Sequence, residues 1–293
     1  MAVMAAAGAL VAAVGVGFAV TANSSSTLVD GNYACTFASG LDCQPTPIPT
    51  ITETQTATVT ATETTTVTAS PSPTATVAKV LTGTSGPGLA VWPNAPAVRT
   101  YWGGLPSTAL PSAPAGAVLF VSFKTAPADI GPFIDAWQAS GRTVYWTWHH
   151  EPDNGDMTGA AFVSETNALL AQAATHPHSN VHSMTILTAN SLVVGNADQY
   201  YVPGVDVIGF DDYNLNNEPK CEAYATAHGK RLIFGEVGNV LNGATDTDAQ
   251  ALAFAQSFWG ALDSNTLAAL WWSGSTDTLV GKPNTTAFLA SQP

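Results

Sequence analysis

A chain of 293 residues with 8 Lys+Arg against 21 Asp+Glu carries a formal charge of -13. With no basic patch interleaved with aromatics, it repels phosphate backbones, which excludes nucleic acid as a partner. Only 10% of residues are charged, while eight are Trp and seven Tyr, a balance that keeps neutral polymers open, since sugar faces stack on aromatic rings.

The chain begins with an uninterrupted apolar segment, "MAVMAAAGALVAAVGVGFAVTA", residues 1–22. Its length suits a secretory signal or a membrane anchor, and Val20-Thr21-Ala22 offers a small-residue cleavage site, although no Lys or Arg precedes the apolar run. Both alternatives predict export, to a secreted or a cell-surface anchored state, the uncleaved form giving a tether to membrane or cell wall. Residues 23–43 contain Cys35 and Cys43 in "YACTFASGLDCQ", close enough to form a small disulfide loop in an oxidising compartment. Cys221 is left over, and no Cys/His constellation surrounds it. Residues 44–78 are almost entirely Thr, Pro, Ser, Ala, Val and Glu. Such a tract buries too little apolar surface to offset chain entropy and reads as an extended linker open to O-glycosylation. The foldable unit is therefore 79–293, expected to act as a monomer.

Within it, short β-rich apolar runs recur: 80–85, 97–102, 117–123, 143–149, 183–189, 205–211, 231–237 and 267–273. Helical patterns lie between several of them, in "PFIDAWQAS", "TGAAFVSETNALLAQAAT", "CEAYATAHG" and "DAQALAFAQSFWGALD". Strand–helix alternation with nearly continuous apolar strands predicts a parallel sheet buried on both faces. Eight such strands predict an α/β fold, a compact (β/α)8 TIM barrel. Its first third leaves little room for helices. A doubly wound open sheet is the competing architecture, disfavoured because no Gly-rich phosphate fingerprint follows an early strand.

In such a barrel the site lies at the strands' C-terminal ends. Strand four ends in His149, His150, Glu151, Pro152 and Asp153, strand six in Asp211, Asp212 and Tyr213, strand seven in Glu236, and strand eight in Trp271 and Trp272. Period-two alternation places Thr147, His149 and Glu151 on one face of strand four, and Leu232, Phe234 and Glu236 on one face of strand seven. If those faces line the interior, two carboxyls meet in one cavity. Glycoside hydrolysis needs such a pair, a general acid for the leaving oxygen and a carboxylate for the anomeric carbon. The aromatic run before Glu151 favours its protonated form by desolvation. Trp146, Trp148, Trp271 and Trp272 are core residues or sugar platforms. The histidines with Asp153 or Asp211 form no recognised metal-hydrolase spacing, and no cofactor or metal is expected.

Together "HHEPDNG", "VIGFDDYN", "IFGEVGN" and "WWS" resemble the barrel glycoside hydrolases of clan A, and most of all family 26, over about residues 95 to 290. The resemblance implies Glu151 as acid/base with His150 beside it, Glu236 as nucleophile and Tyr213 as its partner. It places Trp271 or Trp272 in the subsite of the cleaved sugar, with His149, Trp148 and Asp211 as further substrate-binding candidates. Because the family is retaining, carboxyl groups roughly 5–5.5 Å apart are implied. The chain departs from mannan-cleaving members, which have a phenylalanine before the His-Glu pair and "MN" after it. The expected activity is a retaining endo-β-glycosidase on a polysaccharide such as β-mannan, mixed-linkage β-glucan or xylan. The alternatives are a non-catalytic glycan-binding surface module and, more weakly, a metal-dependent hydrolase.

Overall fold

The computed structural model describes residues 27–30, 33–36, 42–45, 80–239, 246–274 and 278–292. The apolar segment 1–22 lies outside them, as do residues 46–78 of the expected linker 44–78, whose first two residues belong to a strand, Asp42–Pro45. Among the described residues no helix is long and apolar enough to cross a membrane. The chain divides into two units, Met1–Ser72 and Pro73–Pro293. In the first, β1 (Thr27–Asp30), β2 (Tyr33–Thr36) and β3 (Asp42–Pro45) form an antiparallel sheet. The β2–β3 register sets Cys35 opposite Cys43.

The second unit is a closed barrel of eight parallel strands: β4 (Leu81–Ser85), β5 (Ala97–Trp102), β6 (Val118–Phe123), β7 (Val144–Trp148), β8 (Val181–Thr188), β9 (Val207–Asp212), β10 (Arg231–Val237) and β11 (Thr266–Trp271). These are the eight strands expected from the sequence, with ends shifted by at most two residues. The barrel is flanked by α1 (Gly131–Ala139), α2 (Gly159–Ala173), α3 (Asn190–Val194), α4 (Glu218–Ala227), α5 (Asp248–Ala261) and α6 (Pro283–Ser291).

Burial on both faces explains the near-continuous apolar strands. Alternate residues enter two different layers. Ala97, Phe120, Met184, Ile186, Val207, Ile233, Ala268 and Leu270 fill the barrel interior. Their neighbours, among them Val98, Phe123, Trp146, Phe210 and Phe234, pack outward on Trp137 of α1, Phe162 of α2 and Phe258 of α5. Two helices start on side-chain caps: Thr158 accepts from the Ala161 N–H, and Thr247 with Gln250 forms a capping box, satisfying amide donors that a helix start leaves unpaired.

The thin first third is as the sequence suggests. A 3-10 turn, Gly86–Ala90, follows β4, and no helix follows β5. The C-terminal helix α6, which the sequence pattern did not reveal, packs along α5 and β4. Its residues "PNTTAFLAS" hold too few apolar positions to show a helical period, and its two threonines are poor helix formers.

Two local irregularities build the site. After Trp148 the chain leaves the strand, and His149 (φ 50°) and Glu151 (φ 53°) adopt left-handed backbone, unusual for non-glycine residues. Simple alternation therefore stops at Trp148. In β10 the register against β9 shifts between Phe234 and Glu236. Leu232 and Phe234 face the helices, contrary to the alternation expected from the sequence, and the bulge turns Glu236 inward anyway.

Candidate active site

Strand β5 contributes the base of the site. Ala97, Arg99 and Tyr101 share the inward face, and Arg99 is completely buried in mid-strand. A guanidinium there requires partners. Its Nη1 lies 2.6 Å from Asp211 Oδ1, and its Nη2 lies 3.4 Å from Asp211 Oδ2 and 3.6 Å from Glu236 Oε1. The guanidinium also sits 4.8 Å from the centre of the Tyr101 ring. Burial works against its charge, but Asp211, Tyr101 and Glu236 outweigh it and raise the Arg99 pKa.

Glu236 is held from three sides. Tyr101 donates its hydroxyl to Oε1 at 2.8 Å, Tyr213 donates to Oε2, and Arg99 approaches Oε1. Burial, then the negative charge of Glu236, pushes the Tyr213 pKa upward, so this phenol remains a donor. Burial also raises that of Tyr101, with Arg99 opposing and Glu236 assisting. Two neutral donors and a cation are the environment of a fixed carboxylate.

Glycine at 235 is a steric necessity of this arrangement. A Cβ there would lie 2.1 Å from Arg99 Nη1 and 2.6 Å from Asp211 Oδ1. Both atoms are locked in a buried pair. Gly235→Ala is therefore expected to destabilise the barrel by about 1–3 kcal/mol through overpacking, read as a lower melting temperature.

Glu151 stands at the same mouth in a different state. Its N–H donates to the Ile186 carbonyl at 2.8 Å, fixing the left-handed turn above β8. Burial, then the charge of Glu236, raises its pKa to about 7 against the opposing pull of Arg99. His150 beside it is 5.2 Å from Tyr101, ring centre to ring centre. Burial, then the charges of Arg99, Lys124 and His149, lowers its pKa to about 3, which keeps the imidazole neutral. His149 turns away, its Nε2 3.4 Å from Asp156 Oδ2. Lys124 donates to the His150 carbonyl at 3.3 Å, and Asp153 accepts from the Thr188 N–H at 3.0 Å.

The structure thus brings Glu151, His150, Tyr213, Glu236 and Trp272 to one mouth; Trp272 meets Tyr101 edge-on at 5.5 Å. Two expected substrate contacts lie elsewhere. Trp148 stacks on Phe162 of α2 at 5.7 Å, and Trp271 is fully buried, 6.3 Å from Trp259. Both occupy outward positions of their strands, so they serve the helix layer. Asp211 points inward but is buried against Arg99. Sequence reasoning did not single out Arg99 or Tyr101. The available signal was an arginine in the middle of the apolar run "AVRTYW" in a chain with 8 Lys+Arg, where a buried charge demands a partner. Among the described residues no three His, Cys, Asp or Glu side chains are grouped to hold a metal ion.

No protein-family model matches the chain, and no curated protein matches it in sequence. Solved structures do. One is the GH113 β-mannanase AaManA of Alicyclobacillus acidocaldarius, solved in complex with ManMIm, at TM-score 0.50 and 12% identity, covering 73% of this chain and 97% of that one. Another is the YdhT protein of Bacillus subtilis, at TM-score 0.50 and 15% identity, covering 74% and 86%. What this chain shares with them is the fold, an eight-stranded (β/α)8 barrel.

Proposed function

We propose that the protein is an exported retaining endo-β-glycosidase that hydrolyses a β-linked polysaccharide, with Glu151 as acid/base and Glu236 as nucleophile. The observation that carries this reading is the difference between the two carboxyls: both Glu236 oxygens accept tyrosine hydroxyls, from Tyr101 and Tyr213, beside the Arg99 guanidinium, while burial and the Glu236 charge bring Glu151 to a pKa of about 7. Such separated environments support different roles for the two carboxyls. The fold shared with a β-mannanase supports β-mannan as the first polymer to test, ahead of mixed-linkage β-glucan and xylan.

In the first step a Glu236 oxygen attacks the anomeric carbon while Glu151 gives its proton to the glycosidic oxygen, whose bond to that carbon breaks. In the second, Glu151 takes a proton from water, the water oxygen attacks the same carbon, and the Glu236 ester bond breaks. Each glutamate ends as it began. Arg99 and the two tyrosines hold the attacking oxygen in place, and neutral His150 adds no charge that would draw the proton from Glu151.

The test is release of reducing ends from mannan, mixed-linkage glucan, xylan and cellulose, with Glu236→Gln as control and the anomer of the first product read by NMR. Release of the β-anomer that is lost in the variant supports the proposal. Binding of a polymer without release would favour a glycan-binding module, and inactivation by a chelator a metal-dependent hydrolase. The export part of the proposal carries a Cys35–Cys43 disulfide: directly opposed antiparallel residues have Cα atoms about 4.5–5.5 Å apart, within disulfide reach. Non-reducing mass spectrometry of the secreted protein tests it.

The Glu151 shift also fixes a pH dependence. The acid must be protonated for the first step, so kcat/KM is expected to fall as pH rises through about 7,. Stability follows the same sign. A carboxyl whose folded pKa is raised stabilises the fold at low pH and loses that contribution as pH rises through the folded pKa. Glu151→Gln is accordingly expected to melt above the parent protein at pH 8, with the difference shrinking toward pH 5.

A further inference from the structure

The loop that carries Glu151 is strained, and its neighbours hold it in that state. His149 and Glu151 both adopt left-handed backbone, a conformation that non-glycine residues keep only where surrounding contacts over-determine it. The contacts come from the strands on either side of β7. On the β8 side regular pairing ends at Trp146 and Ser183. Beyond it the Glu151 N–H donates to the Ile186 carbonyl at 2.8 Å, and the Asp153 carboxylate accepts from the Thr188 N–H at 3.0 Å and from the Thr188 hydroxyl. On the β6 side the His149 N–H donates to the Phe123 carbonyl at 2.7 Å, and Lys124 Nζ donates to the His150 carbonyl at 3.3 Å. Asp156, exposed and farther along the loop, lies 3.6 Å from Lys124 Nζ and 3.4 Å from His149 Nε2.

We propose that Asp153 and Lys124 are positioning residues for the acid: they staple the Glu151 loop to the strands on either side of it and bracket its carboxyl with opposite charges. The inference rests on the acid role of Glu151. Neither bond requires a charge, since the Thr188 N–H needs only an acceptor and the His150 carbonyl only a donor. Yet a carboxylate and an ammonium fill the two places, in a chain with 8 Lys+Arg. Asp153 disfavours the ionised form of Glu151 and Lys124 favours it, so the two staples act on the same proton in opposite directions. The other charges facing Glu151 are Glu236 on β10, Arg99 on β5 and Asp211 on β9. Those three are tied together through Arg99 and are untouched when a staple is changed. His150, the neighbour in sequence, stays neutral.

The test uses the full chain and two substrates sharing one glycone: an oligosaccharide, whose leaving oxygen needs a proton, and a dinitrophenyl glycoside, whose leaving group departs without one. Asp153→Ala removes a staple. It is expected to lower kcat/KM about 10- to 100-fold on the oligosaccharide, the range for a catalytic group misplaced by about 1 Å, and by no more than about twofold on the dinitrophenyl glycoside. Equal losses on both substrates, or none on either, would overturn the proposal. Charge is read separately. Asp153→Asn keeps an acceptor for the Thr188 N–H, and its fall of kcat/KM with rising pH is expected at lower pH than in the parent; in Lys124→Met the fall is expected at higher pH. A purely structural role leaves that limb in place, so a limb that stays put, or moves the same way in both variants, would overturn the proposal. NMR titration of carboxyl-labelled glutamate follows the same two shifts without turnover, the Glu151 signal being the one missing from Glu151→Gln. Absence of turnover by the parent protein on every glycoside overturns the glycosidase reading, while the titration still decides whether Asp153 and Lys124 act on Glu151.

Discussion

Under the proposed double-displacement mechanism, Glu236→Ala is expected to lower turnover by on the order of 10⁴-fold or more, because the variant would lose the atom that attacks the anomeric carbon. Its second expected property is more discriminating. The truncated side chain leaves space lined by the Tyr101 and Tyr213 hydroxyls and Arg99, two donors and a cation arranged around an anion. Azide supplied there attacks the anomeric carbon from the vacated side and, with Glu151 still protonating the leaving oxygen, yields a glycosyl azide inverted at that carbon. Recovery of activity with azide, and an inverted product by NMR, would assign the nucleophile role to Glu236. Loss of activity without rescue, together with a lowered melting temperature, would mean that Glu236 supports Arg99 structurally. In Glu151→Ala no such inverted azide is expected, since the nucleophile remains and only the proton donor is missing.

The barrel was legible in the sequence because both faces of each strand are buried, which writes an apolar run eight times over. Its helices were less so. The helix α2 carries Phe162 and Leu169 toward the barrel and shows a period, whereas α6 buries little more than Thr285 and Leu289 and shows none. Site residues followed the same logic. A glutamate at a strand end is ordinary by itself, but Glu151 and Glu236 end strands four and seven of an eight-strand pattern and could be picked out as a pair. The alternation that seemed to aim them did not. Glu151 reaches the mouth through left-handed backbone at His149 and at Glu151 itself, and Glu236 through a bulge beside Gly235, neither of which a period-two count can foresee. Trp148 and Trp271 mislead for the complementary reason, since they are next to the site in sequence and one alternation away from it in space.

Arg99 is where stability and chemistry meet, and Arg99→Met separates them. Removing one member of a buried pair leaves the other uncompensated, a loss of about 3–5 kcal/mol, or roughly 10 °C in melting temperature for a domain of this size. The loss should depend on pH. Burial raises the Asp211 pKa and Arg99 lowers it, so without Arg99 the folded carboxyl titrates far above its unfolded value of about 3.9. A raised folded pKa gives a contribution that is present at low pH and lost as pH rises. The variant should therefore lie nearest the parent near pH 4 and furthest from it above neutrality, as measured by thermal melts across that range. Adding Asp211→Leu removes the orphaned charge and should recover most of the stability. Activity should not return with it, because Glu236 still lacks the Arg99 contact that helps fix its carboxylate. A double variant that folds as well as the parent yet turns over slowly would show that the ion pair under the barrel mouth is retained to position the nucleophile, whereas recovery of both together would reduce Arg99 to a structural residue.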